Sequence, residues 1–152
     1  MKAITWLASF GVAAMALTSS ALAAPHEGWT TDYEAALKQA KEEDKSILLE
    51  FTGSDWCPPC KLMRKEVFGK KEFVEAAKKD YILVELDFPR SDKELAEKNQ
   101  PLAEEFEIRG FPTVVLLDSE GKEFSRTVGA QYRTVEDFLG YLKDAASKKG
   151  LD

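Results

Sequence analysis

Apolar positions along the chain switch between two rhythms. Trp29, Tyr33, Leu37 and Ala40 recur at helical spacing, and the polar run "KEEDK" at 41–45 ends that segment. Residues 47–51, "ILLEF", have the short apolar run of a buried strand. Helical spacing returns over 59–68 and again over 71–79, and "YILVELD" at 81–87 predicts a second strand. Between Ser91 and Phe106, the residues Leu95, Leu102 and Phe106 share one helical face, and Pro101 predicts a kink or a break into two pieces. "TVVLL" at 113–117 predicts a strand, "DSEG" at 118–121 a turn, and "EFSRTV" at 123–128 the hairpin partner. Val135, Phe138, Leu139 and Leu142 line a last helix, with Thr134 as its N-cap. The order of these elements predicts an α/β fold. A central mixed sheet carries helices on both faces, preceded by an N-terminal helix.

Composition changes the picture at the N-terminus. "MKAITWLASFGVAAMALTSSALAA" has a charged start, an apolar middle and small residues before Ala23. This is the layout of a signal peptide over residues 1–23, leaving one domain over 24–152. The expected product is exported, periplasmic or otherwise outside the cytoplasm, and free of a membrane anchor after cleavage. The formal net charge is −6, with no basic stripe, which argues against nucleic-acid partners and anionic membrane surfaces.

The candidate chemistry lies in "FTGSDWCPPCK" at 51–61, which holds both cysteines of the chain. A structural metal site needs about four Cys or His ligands. Cys57, Cys60 and His26, the last expected in a loose lead-in, fall short of that, so no metal is expected. A disulfide across so short a loop removes little unfolded-state entropy and would be a weak staple. A reversible redox pair fits better. Cys57 precedes a helix start, where thiolate is favoured, and is expected to be the exposed nucleophile. Cys60, one turn in, is expected to be shielded and to resolve a mixed disulfide.

"WCPPCK" after a buried strand, with "RGFPT" at 109–113, resembles the thioredoxin superfamily. The longer "KSILLEFTGSDWCPPCKLMRKEVF" is similar to exported thioredoxin-like proteins and to the C-terminal periplasmic domain of the transmembrane thiol:disulfide interchange protein. The resemblance implies a thioredoxin fold and dithiol–disulfide exchange with protein partners, without a bound cofactor. It implies a cis peptide at Pro112, leaving the Phe111 backbone open to a substrate strand. It also implies that Glu50 is a buried carboxylate relaying a proton to Cys60. The spacing from Glu50 to Cys57 is one residue longer than is usual in the family, and Gly53 offers a bulge to absorb it. Glu85 stands where many thioredoxins carry a lysine; it either faces Glu50 or points away. Trp56 is expected to cover the site and contact substrate. Asp55 reads as a solvated loop acid, Lys61, Arg64 and Lys65 as a wet helix face, and His26 as tail.

Pro58 and Pro59 bear on the direction of electron flow. Neither has an N–H to stabilise the Cys57 sulfur, which leaves chiefly that of Cys60. A less stabilised thiolate favours a reductant. The expected protein is therefore a monomeric protein-disulfide reductase recharged by a membrane electron donor. The rival expectations are a disulfide oxidase or isomerase, and a non-catalytic binding module.

Overall fold

The computed structural model describes residues 25–150; the expected signal peptide lies outside the described residues. Helix α1 spans Tyr33–Glu43, strand β1 Ser46–Thr52 and helix α2 Pro58–Met63, which runs on into a π-helical turn, Arg64–Phe68. Helix α3 (Lys71–Ala77), strand β2 (Tyr81–Asp87) and helix α4 (Lys93–Glu105) follow. Strands β3 (Thr113–Leu117) and β4 (Glu123–Val128) form a hairpin, and helix α5 (Val135–Lys148) closes the chain. The sheet order is β2-β1-β3-β4, with β1 parallel to β2 and antiparallel to β3, and β3 antiparallel to β4. This is the mixed sheet that the element order predicted.

Alternation along the strands sorts side chains onto two layers. Ile47, Leu49 and Phe51 of β1 join Ile82, Val84 and Leu86 of β2 under α1 and α4. Leu48 and Leu83 point the other way, into a cluster with Met63, Val67, Phe68, Phe73, Phe138 and Leu142 from α2, the π turn, α3 and α5. Glu50 and Glu85 fall on this second face by the same alternation. They are register partners across the β1–β2 ladder.

Four local expectations are corrected. Trp29 is not part of α1. Asp32 caps that helix by accepting from the Ala35 N–H, and Trp29 lies before the cap, its ring buried against Phe68 and Phe73. Pro101 does not break α4, which is continuous. Glu97 and Pro101 are both exposed, so the carbonyl that the proline ring leaves unpaired can be hydrated. The helix over 59–68 changes pitch at Arg64. The Gly69 N–H bonds back to the Arg64 carbonyl at 2.8 Å, and a Cβ at Gly69 would meet that oxygen at 2.7 Å. The wider turn lets neighbours Val67 and Phe68 both be fully buried. Finally, no bulge forms at Gly53. The β1–β2 register runs unbroken to Thr52 and Asp87, and the extra residue is absorbed in the turn leading to Cys57. Gly53 is needed there because the Trp56 indole lies on it, 2.6 Å from where a Cβ would sit.

Candidate functional site

The turn before the cysteines is tied to the end of β2. The Ser54 N–H donates to Asp87 Oδ1 at 2.9 Å, and the Ser54 hydroxyl donates to Asp87 Oδ2. The Trp56 Nε1–H donates to the Phe88 carbonyl at 2.8 Å, and the Asn99 amide donates to the Asp87 carbonyl at 2.8 Å. Asp55 is exposed, yet it is more than a solvated acid. It accepts from the N–H groups of Arg90 and Ser91 at 3.0 and 2.9 Å, which holds its carboxyl below the usual range. Sequence reasoning missed Ser54, Asp87, Arg90 and Asn99, since their partners come from a different strand and its following loop.

Cys57 is the N-cap of α2, and the prolines fill the first two helical positions. The two cysteines form a disulfide, S–S 2.06 Å. The Cys60 N–H donates to Cys57 Sγ at 3.3 Å. Cys57 is 3% exposed and Cys60 1%, so the expected exposure of Cys57 is corrected for this oxidised form. Both are packed at the junction of the strand-end turn and the helix start, and the accessible rim is made by neighbours. Trp56 and Phe111 are half-buried and meet edge to face at 5.8 Å; Phe111 also meets Phe88 at 5.2 Å. The Arg90 guanidinium lies 4.6 Å from the Trp56 ring centre. The Phe111–Pro112 peptide bond is cis. Neither backbone polar group of Phe111 is used in a backbone–backbone hydrogen bond among the described residues.

Below the helix lie the two carboxylates. Glu50 is 1% exposed and Glu85 4%. Oε2 of each makes no hydrogen bond among the described residues, though Glu85 Oε2 has a close contact at 3.1 Å from His26 Nε2. Burial, then the neighbouring Glu85, pushes Glu50 well above the usual carboxylate range, against a smaller pull from Arg64. Burial also pushes Glu85 up to about 7, again with Arg64 opposing. Glu85 thus faces Glu50 rather than pointing away.

Two residues assigned to the surface belong to this cluster. Arg64 is half-buried, and its charge acts on both carboxylates, so it is not simply wet helix face. His26 is not tail. Its Nε2 lies 3.1 Å from Glu85 Oε2, and its side chain is only 9% exposed. Burial, aided by Arg64, lowers the imidazole to about 4. Near pH 6 this contact therefore joins two largely neutral groups rather than an ion pair. His26 does not lie apart from the acids, as a loose lead-in would place it. In the folded chain one atom each of His26, Glu50 and Glu85 lies within 4.8 Å of the others.

The arrangement can exchange two electrons at one sulfur pair beside an apolar rim, with the buried acids on the sheet face that α2 covers. The thioredoxin-like domain family matches residues 33–146. Over 108 residues the chain is 38% identical to a disulfide bond reductase, DsbH, of Chlamydia pneumoniae; the match takes in 69% of this chain and 64% of that protein. The chain thus spans just under two thirds of that relative's length. A solved DsbH oxidoreductase superposes with a TM-score of 0.71 at 31% identity, covering 91% of this chain and 95% of the other. The oxidised C-terminal domain of Neisseria meningitidis DsbD shares the fold, with a TM-score of 0.58 at 22% identity over 77% of this chain and 98% of that one. Family match, sheet topology and paired cysteines agree: the chain belongs to the thioredoxin-like family.

Proposed function

We propose that this protein is a thiol:disulfide oxidoreductase that works as a reductase of disulfides in protein partners. Cys57 attacks a partner disulfide. Cys60 then attacks Cys57 Sγ, releasing the partner as a dithiol and closing the Cys57–Cys60 disulfide. The observation that carries the direction is the sulfur's hydrogen bonding. Cys57 Sγ receives the Cys60 N–H at 3.3 Å, while Pro58 and Pro59 have none to give. A thiolate so sparingly stabilised makes the reduced form the better electron donor. The similarity to a protein named as a disulfide bond reductase supports the same direction.

The remaining roles follow from position. Phe111, with its free backbone beside Pro112, would pair with an extended substrate segment, and Trp56 would pack against its side chains. Glu50 would take the proton from Cys60 as the resolving thiolate forms. The proposed setting is periplasmic or otherwise exported, after removal of residues 1–23. The protein would be a monomer recharged by a membrane electron donor, with no cofactor of its own. Among the described residues, no helix is long and apolar enough to cross a membrane.

The test is capture with Cys60→Ser. The variant should accumulate partners joined through Cys57, released by dithiothreitol and absent when Cys57 is also replaced. Captured proteins that carry structural or oxidised cysteine pairs support reduction. Absence of any adduct would favour a non-catalytic binding module.

A further inference from the structure

The lead-in before α1 is fastened across the edge of the sheet. The Thr30 N–H donates to the Leu83 carbonyl and the Glu85 N–H donates to the Thr30 carbonyl, both at 2.9 Å, so residue 30 pairs with β2 as a short parallel bridge. The Trp29 ring is buried, and its Nε1–H donates to the Phe68 carbonyl at 3.3 Å. The Trp29 N–H donates to the His26 carbonyl at 2.9 Å, and the two rings meet edge to face at 6.0 Å. These contacts fix the imidazole against Glu85 Oε2 at 3.1 Å. His26, though its side chain is only 9% exposed, lines a surface cleft with the charged residues Glu27, Lys71, Glu75 and Lys78.

We propose that His26 is the outlet of a buried proton path that runs from Cys60 through Glu50 and Glu85 to the cleft. The proposal rests on the dithiol-exchange reading. In the resolving step the Cys60 thiol gives its proton to the Glu50 carboxylate. The Cys60 thiolate attacks Cys57 Sγ; the enzyme disulfide forms, the mixed disulfide breaks, and the partner's thiolate leaves and takes a proton from water. Two electrons have passed from the enzyme sulfurs to the partner. The proton on Glu50 passes to Glu85, from Glu85 to His26 Nε2, and from the imidazole to the cleft. Reduction of the enzyme runs the path backward.

The path answers a difficulty that the acid pair creates. A buried carboxyl beside another buried carboxyl holds its proton tightly and is a poor base. It can accept the Cys60 proton only if its own has somewhere to go. Arg64, from the π turn, favours the ionised carboxylates, while Asp87, two positions along β2, opposes it. The Thr52 hydroxyl also faces Glu50. Arg64 keeps its protons at any working pH and has no site to accept another, whereas the neutral imidazole of His26 has one. His26 touches neither sulfur and acts through the acids, so its effect belongs in a pH profile.

The experiment uses the reduced, untagged protein and the aromatic disulfide dithionitrobenzoate. Cys57 attack releases the first thionitrobenzoate, and Cys60 resolution releases the second. In His26→Gln and Glu85→Gln the first release should be unchanged within about twofold, since neither variant alters the attacking sulfur. The second should slow at least about tenfold, a modest share of what a positioned base contributes, and its pH midpoint should move. Because His26 is the chain's one histidine, its ring nitrogens can be followed by NMR without assignment even if a variant fails to fold. They should shift on reduction of the disulfide and titrate well below the ordinary value for an imidazole. An unchanged second phase in both folded variants would overturn the path, as would an imidazole titrating near 6.5 and blind to the disulfide. So would stoichiometric Zn2+ binding that either variant abolishes, which would give the trio to a metal. If the wild-type protein released no thionitrobenzoate at all, the dithiol reading itself would fail.

Discussion

Cys57→Ser is expected to abolish catalysed reduction of a protein disulfide, with a loss of at least about a thousandfold in insulin turnover, the scale on which removing a covalent nucleophile acts. The serine hydroxyl is not ionised near neutral pH and cannot form the mixed disulfide. The variant should keep its fold. Among the described residues Cys57 Sγ accepts only the Cys60 N–H, and serine is itself a favoured N-cap that can accept the same bond. Circular dichroism of wild type and variant, both in dithiothreitol, should therefore agree. Retention of more than about a tenth of wild-type turnover would contradict the assignment of Cys57 as the attacking sulfur.

Phe68→Ala is expected to be the most damaging single change to stability. Phe68 is fully buried, and its ring meets those of Trp29 at 5.5 Å, Phe73 at 5.5 Å and Phe138 at 5.0 Å. Truncation leaves a cavity bounded by three rigid rings that cannot all collapse into it. The cost should be about 3–5 kcal/mol, which for a domain of this size lowers Tm by roughly 10 °C or more. Thermal unfolding of the oxidised protein measures it. Leu62→Ala, at a position 36% exposed, is the control and should shift Tm by little. A loss under about 1 kcal/mol at Phe68 would show that this aromatic cluster is not the anchor between the sheet and its helices.

Much of this architecture was legible because the helices bury one face each and the inner strands bury both. The strand signals at 47–51, 81–87, 113–117 and 123–128 fall on β1 to β4 within a residue or so at each end, the first three as short runs rich in buried apolar residues and the last as the partner of the turn at 118–121. Thr134 was legible as a cap and accepts from the Asp137 N–H at 3.1 Å. The cysteine pair was legible from its neighbours and its strand–helix setting. What was not legible is tertiary. "APHEG" has no periodicity, and its place is set by the burial of Trp29 and the bridge at Thr30, so His26 read as tail. Arg64 read as wet face from its charge alone, although it stands four residues after Cys60, one turn along the same buried face. The facing of Glu85 and Glu50 depends on strand register, which no local signal specifies.

The same cluster shows where this chain departs from the family pattern. A lysine opposite the buried acid would hold that acid ionised. Here the opposing group is Glu85: burial and then Glu85 push Glu50 up, burial pushes Glu85 up, and Arg64 opposes both shifts. On the proposed path, proton release would run through Glu85 of the neighbouring strand to His26 of the lead-in.

If Cys57 and Cys60 donate electrons to partner disulfides, the reduction potential of the pair must be low; it is measured by equilibrating the protein in thiol–disulfide buffers and trapping the two forms. With one backbone N–H on the Cys57 sulfur and prolines at the two positions between the cysteines, a value near that of thioredoxin, about −270 mV, is expected. A value near about −120 mV, that of a dedicated oxidant, would contradict it.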